Sequence, residues 1–310
     1  VFELAVIVFR WLQMMGAMIL FGSSLFFIYA LPKTGADSIA AARWPRWLLM
    51  TSAVAVLIAC LLGFLAQTVV LAGSVQDALQ SEALSAAATG MSFGKSSIVR
   101  AVASLLFVIA FAFIRPGRGA WGLATLAGGT ICASFAWMGH GGATPGASGL
   151  LHAASDILHT LAAGVWIGAL VVFLILLVTD GRQPPEARGS LHAALQGFSG
   201  IGSGLVAVLI ATGLINGWFV VGLEGLPKLL TTPYGQLLSL KLVLFLVMLG
   251  LAAANRFHLT PRLGQALAGG SPIPPAIVAL RRSLVWETGL SIAVIALVAW
   301  FGTLAPPSVS

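Results

Sequence analysis

The sequence predicts an all-α, polytopic membrane protein with eight transmembrane helices and both termini on the periplasmic side. Three observations carry that prediction. Of its 310 residues, 59% are hydrophobic and only 8% are charged, with a mean hydropathy of +1.01. A soluble domain carries about 25% charged residues, so this chain lacks the polar side chains to cover a water-facing surface. Eight stretches reach the roughly 20 apolar residues that a spanning helix needs. Lys and Arg are distributed very unequally between alternate loops.

The spans are predicted at Phe2–Leu31, Trp47–Ala72, Ser96–Ile114, Ala120–Gly139, His152–Thr179, Phe198–Val221, Leu237–Phe257 and Ser283–Leu304. The first run is too long for a signal-peptide core and reads as a first spanning helix. Turn-rich connectors separate the spans, among them Pro32-Lys33-Thr34-Gly35, Arg115-Pro116-Gly117-Arg118 and Pro272-Ile273-Pro274-Pro275. Proline and glycine stop helices there, where water can bond the freed backbone. The second loop, 73–95, places Val75, Leu79 and Leu84 among polar residues, the pattern of a short helix lying on a membrane surface. The longest connectors are too short for an added soluble domain, so residues 1–310 read as a single transmembrane helical domain.

Orientation follows from the loop charges, because cytoplasmic loops retain Lys and Arg. The odd-numbered loops hold Lys33, Arg43, Arg46, Arg115, Arg118, Arg182, Arg188, Arg256, Arg262, Arg281 and Arg282, whereas the even-numbered loops hold only Lys95 and Lys228. The odd loops are therefore expected inside a bacterial inner membrane. The excess of cations, +7 overall, is scattered singly and lacks the basic, aromatic-interleaved patches of a nucleic-acid binder. Cys60 and Cys132 sit inside apolar runs with no C-x-x-C spacing, as small buried side chains do. Gly94-Lys95-Ser96 resembles the end of a P-loop, but Thr89 stands where the motif needs glycine. No catalytic motif is placed where chemistry could use it, and the chain reads as a non-enzyme.

Ionisable groups at membrane depth are costly and usually functional. The fifth span is densest in them. At about 100° per residue, His152, Asp156 and His159 fall within about 60° of one another. Two imidazoles with a carboxylate between them supply two ligands and a partner that fixes a tautomer. His140 and Met138 lie in or beside the glycine-rich loop just before this span, close enough in sequence to fold back over it. Met14, Met15 and Met18 on the first span add thioethers, which suit Cu(I), while imidazole suits Cu, Zn or Fe. The candidate metal ligands are therefore His140, His152, His159, Asp156, Met138, Met14, Met15 and Met18. Arg10 or Lys241 would neutralise Asp156; otherwise these two and Arg100 would snorkel toward water. Glu287 would pair with a loop arginine such as Arg256 or Arg282, and Thr212 and Asn216 would bond between helices. Gly200, Gly204, Gly213 and Gly217 would let the sixth helix pack closely through small residues. Paired membrane histidines also raise the alternative of a b-type haem electron carrier.

Further along, Thr212-Gly213-Leu214-Ile215-Asn216-Gly217 is followed by Thr232-Pro233-Tyr234-Gly235-Gln236, then Lys241, then Asn255-Arg256-Phe257-His258-Leu259-Thr260-Pro261-Arg262. Leu280-Arg281-Arg282-Ser283-Leu284, Glu287 and Gly302-Thr303-Leu304-Ala305-Pro306-Pro307 complete the set. This ordered combination resembles the copper resistance protein D family, most closely over residues 198–305. The resemblance implies an inner-membrane protein of copper homeostasis and resistance that takes copper from the periplasm and moves it toward the cytoplasm. It also implies a periplasmic copper-binding partner of the copper resistance C type. Asn216, Lys241, Asn255, Arg256 and Glu287 match the family best, but are not copper ligands by chemistry. The proposed ligands therefore rest on the reading of the first, fourth and fifth spans.

Overall fold

A computed structural model describes residues 1–30, 43–138, 146–178, 186–269 and 273–306. Its long helices are α1 (Phe2–Tyr29), α2 (Arg43–Ala72), α3 (Ser92–Phe113), α4 (Arg118–Ser134), α5 (Gly146–Val178), α6 (Glu186–Val220), α7 (Pro233–Ala254) and α8 (Ile273–Phe301). Eight helical segments are long and apolar enough to cross a membrane, and among the described residues no strand forms. This is the arrangement lipid requires, since a helix satisfies its own backbone polar groups. The second loop folds as two short helices, Val75–Ala78 and Ser81–Ser85, and a π turn at Ala86–Gly90. Ser74 caps the first by accepting from Asp77 N at 3.0 Å.

α1 is the hub, packed against α2, α4, α5 and α8. Backbone contact makes this possible. A Cβ on Gly22 would collide with the Gly164 carbonyl of α5, and one on Gly168 would collide with Gly22. A Cβ on Gly128 of α4 would sit 2.6 Å from Phe21 N. Met18 meets Gly164 and Gly22 meets Gly168, so α1 and α5 advance together and run parallel. Hydrogen bonds reinforce the hub, with Ser23 Oγ donating to Gly168 O and Gln13 Nε2 to Ala59 O.

The glycines of α6 behave otherwise. Gly200, Gly204 and Gly217 would meet nothing within 4 Å, and Gly213 would meet only the His159 ring. The expected close-packing stripe on this helix is therefore not a seam. The small-residue seam lies between α1, α4 and α5 instead. α6 rests on α5, and α7 on α8. Their sides are largely open, suited to lipid.

Arginines at one end of the bundle cap helix C-termini, where orphan carbonyls and the helix dipole favour a cation. Arg46 donates to the carbonyls of Phe111, Ala112 and Ile114, and Arg118 to that of Ile28. At the opposite end, called here the histidine end, Arg10 Nη1 donates to Gly302 O at 3.0 Å. That bond ties the start of α1 to the finish of α8.

Candidate metal site at the histidine end

α5 turns two different faces to its neighbours. Gly164 and Gly168 face α1. On the other side, His152, Ser155 and His159 face α6. The His152 ring, 2% exposed, stacks on Phe219 with centroids 4.7 Å apart and planes 11° apart. Ser155 Oγ donates to Thr212 O at 3.1 Å. His159 Nδ1 lies 2.8 Å from Thr212 Oγ1.

The tautomer of His159 follows from that network. The single hydroxyl proton of Thr212 is donated to Val208 O at 2.6 Å. Thr212 Oγ1 therefore accepts from His159, so Nδ1 carries the proton. Nε2 then holds the lone pair, the form in which imidazole ligates a metal with its other nitrogen anchored.

Asp156, half-buried beside this pair, accepts from Asn216 Nδ2 at 3.0 Å. Its charge acts on Arg10, Lys241 and Tyr234, which places a carboxylate among two cations and a phenol. Lys241 Nζ lies 5.7 Å from the centre of the Phe301 ring, against which Tyr234 also packs edge-on. The expectation that Arg10 or Lys241 compensates Asp156 agrees with this arrangement. Asn216 Oδ1 is buried without a hydrogen-bond partner, a further oxygen acceptor beside the carboxylate. Thr212 and Asn216 bond between helices as expected.

Other predicted ligands lie elsewhere. Met18 of α1 faces α5, its Cγ 3.7 Å from where a Gly164 Cβ would sit, and Met14 lies one helical turn before it. Gly164 is about 140° around α5 from His159. The thioethers and the imidazoles thus occupy opposite sides of one helix. Met138 Sδ accepts from Arg100 Nη2 at 3.2 Å, which places a cation against the sulfur. Arg100 does not snorkel; it is fully buried, donating also to Ser97 and Ser134 and lying over the Phe135 ring. His140 lies outside the described residues. Among the described residues, no three His, Cys, Asp or Glu side chains gather as a closed metal site requires. Both histidines of α5 are engaged by α6, His152 through Phe219 and His159 through Thr212.

Sequence reasoning missed a second polar cluster. Glu287, 3% exposed at the midpoint of α8, does not pair with a loop arginine. Its Oε1 accepts from Trp166 Nε1 at 2.9 Å and its Oε2 from Asn255 Nδ2 at 2.8 Å. Arg256 instead bonds Ser203 of α6, while Arg281 and Arg282 are exposed. A usable signal was present: Trp166 continues the His152–His159 face of α5, and Lys241, Met248 and Asn255 recur at seven-residue spacing on and just beyond α7.

An eight-helix bundle with charged groups buried at membrane depth defines a multi-pass membrane protein with a polar interior site. A family profile described as copper resistance protein D matches residues 192–301, and one described as the copper resistance protein D-like N-terminal domain matches residues 1–150. The chain is 32% identical to Copper resistance protein D of Pseudomonas syringae pv. tomato over 291 residues, which is 93% of each chain. It belongs to the copper resistance protein D family. It is also 33% identical to Inner membrane protein YebZ of Escherichia coli over 132 residues, 42% of this chain and 43% of that one. Copper transport protein CutJ of Bacillus subtilis is 32% identical over 152 residues, 49% of this chain and 25% of that one. None of these names states a catalysed reaction. No solved structure matches. Residues 151–191, which include the polar face of α5, fall between the two matched segments.

Proposed function

We propose that this protein takes up copper at the histidine end, on the periplasmic side of a bacterial inner membrane, and moves it toward the cytoplasm in copper homeostasis and resistance. Family membership supports the copper assignment. The printed names of the relatives support transport and an inner-membrane location. The unequal loop charges support the orientation, with both termini outside.

His159 and His152 are the proposed ligands, with Asp156 beside them and His140 contributed by the adjoining loop. The observation that carries this reading is the Thr212–His159 bond, which leaves Nε2 with its lone pair at the α5–α6 contact. The oxygens of Asp156 and Asn216 stand close by. Met14, Met15 and Met18 would form a separate thioether station behind α5, while Arg100 competes for Met138. Thioethers favour Cu(I) and imidazoles accept either state. A periplasmic copper-binding protein of the copper resistance C type would deliver the ion.

Metal analysis of purified protein tests the site. The His152→Ala/His159→Ala double variant should bind less copper per chain while still unfolding cooperatively. Unchanged copper content in that variant removes α5 from the site. In cells, deletion should lower copper accumulation; a rise would reverse the direction.

A further inference from the structure

We infer that Glu287, with Asn255 and Trp166, forms a buried proton-binding site inside the bundle that couples proton movement to copper movement; the coupling rests on the transport reading above, the proton site does not. The argument starts from charge. An ionised carboxylate away from water is expensive unless a cation or strong donors compensate it. Among the described residues, the Glu287 carboxylate has two neutral N–H partners, the indole of Trp166 and the amide of Asn255.

Charged and titratable groups on the elements packed against α8 lie elsewhere. On α5, Asp156 and His159 lie toward the histidine end, His159 about 10 Å along the helix from Trp166. On α7, Lys241 is about 21 Å along the chain axis from Asn255. Arg10 of α1 is bound at Gly302. Arg256, His258 and Arg262, beyond α7, are exposed, as are Arg281 and Arg282 of α8 itself. Among the described residues, Glu287 therefore stands with neutral groups, unlike Asp156 with Arg10 and Lys241.

The second observation is the amide of Asn255. Its Oδ1 is buried and has no hydrogen-bond partner, while its Nδ2 donates to Glu287. An amide can exchange its oxygen and nitrogen by a half-turn, and which atom points where is set by the hydrogen-bond network. With the carboxylate ionised, Nδ2–H donates to Oε2. When a proton from water adds to Oε2, the amide turns and Oδ1 accepts the new O–H bond. Trp166 donates to Oε1 in both states. The amide thus offers a donor to the ionised carboxylate and an acceptor to the protonated one, which a fixed cationic partner could not do.

Infrared difference spectroscopy on the full protein in lipid tests this. A pH step should produce a protonated-carboxyl C=O stretch that is lost in Glu287→Gln, a near-isostere of the protonated acid. Trp166→Phe keeps the carboxyl but removes the Oε1 donor, and should move the same band in frequency. Absence of the band in the unmodified protein, or its persistence unchanged in both variants, overturns the site. In vesicles, copper uptake should respond to an imposed pH gradient, and Glu287→Gln should lose that response while keeping copper binding. Unchanged gradient dependence in Glu287→Gln overturns the coupling. Failure of all copper uptake would sink the transport reading, while the infrared band would still report on the proton site.

Discussion

The two sides of α5 invite comparison, because one helix serves two unlike neighbours. Toward α1 it offers Gly164 and Gly168, and backbones approach until no Cβ fits. Toward α6 and α8 it offers His152, Ser155, His159 and Trp166, and side-chain hydrogen bonds set the spacing. In lipid, helices gain nothing by hiding apolar surface from one another, so association depends on close packing and on polar bonds. The first side uses packing and has no freedom to adjust. The second uses bonds whose donors and acceptors can exchange partners, as the proposed copper site would require.

Substitutions on the two sides should therefore fail differently. The largest effect is expected on the glycine side. Gly168→Ala forces a methyl into the Gly22 backbone, and should cost about 1–3 kcal/mol or more as overpacking, read as a lower thermal unfolding temperature. If stability is unchanged, the seam is not where the helices touch. Next comes the polar side, where His152→Ala/His159→Ala should lose bound copper and cost less stability than Gly168→Ala. Thr212→Val removes only the acceptor that orients His159, and should weaken copper binding roughly tenfold, the low end for outer-shell partners of a metal ligand. Thr212→Ser should restore it; if Val and Ser behave alike, the hydroxyl is irrelevant. The smallest effect is expected at Gly204→Ala on α6, where a methyl meets open space and stability should change by less than about 0.5 kcal/mol. A reporter fused after Phe257 should register on the cytoplasmic side, and a periplasmic signal there would invert the orientation argued above.

Much of this architecture was legible residue by residue. The spacing of His152, Asp156 and His159 puts them on one face of α5, and the structure turns His152 and His159 toward α6; Thr212 and Asn216 bond between helices as their place on span six suggests. Glu287 was recognised as buried but given the wrong partner, because nearby arginines are the obvious counter-charges in sequence. Its actual partners, Trp166 and Asn255, are 121 and 32 residues away and neutral. The glycines at four-residue spacing on α6 misled for a related reason. Spacing shows that small residues share a face, and says nothing of whether a helix stands opposite. Chemistry groups the methionines of α1 with the histidines, whereas Met18 meets α5 at Gly164, on another side of that helix from His159.

By itself, the sequence determined the membrane environment, the eight crossings and the polar residues that lipid would not tolerate unsupported. Those are properties of composition and period, and the cost of exposing charge or backbone to hydrocarbon enforces them locally. Only the tertiary structure decided which glycines touch, which tautomer His159 holds and what faces Glu287. Each of these depends on the rotation of one helix against another, which is set by contacts between residues far apart in the chain.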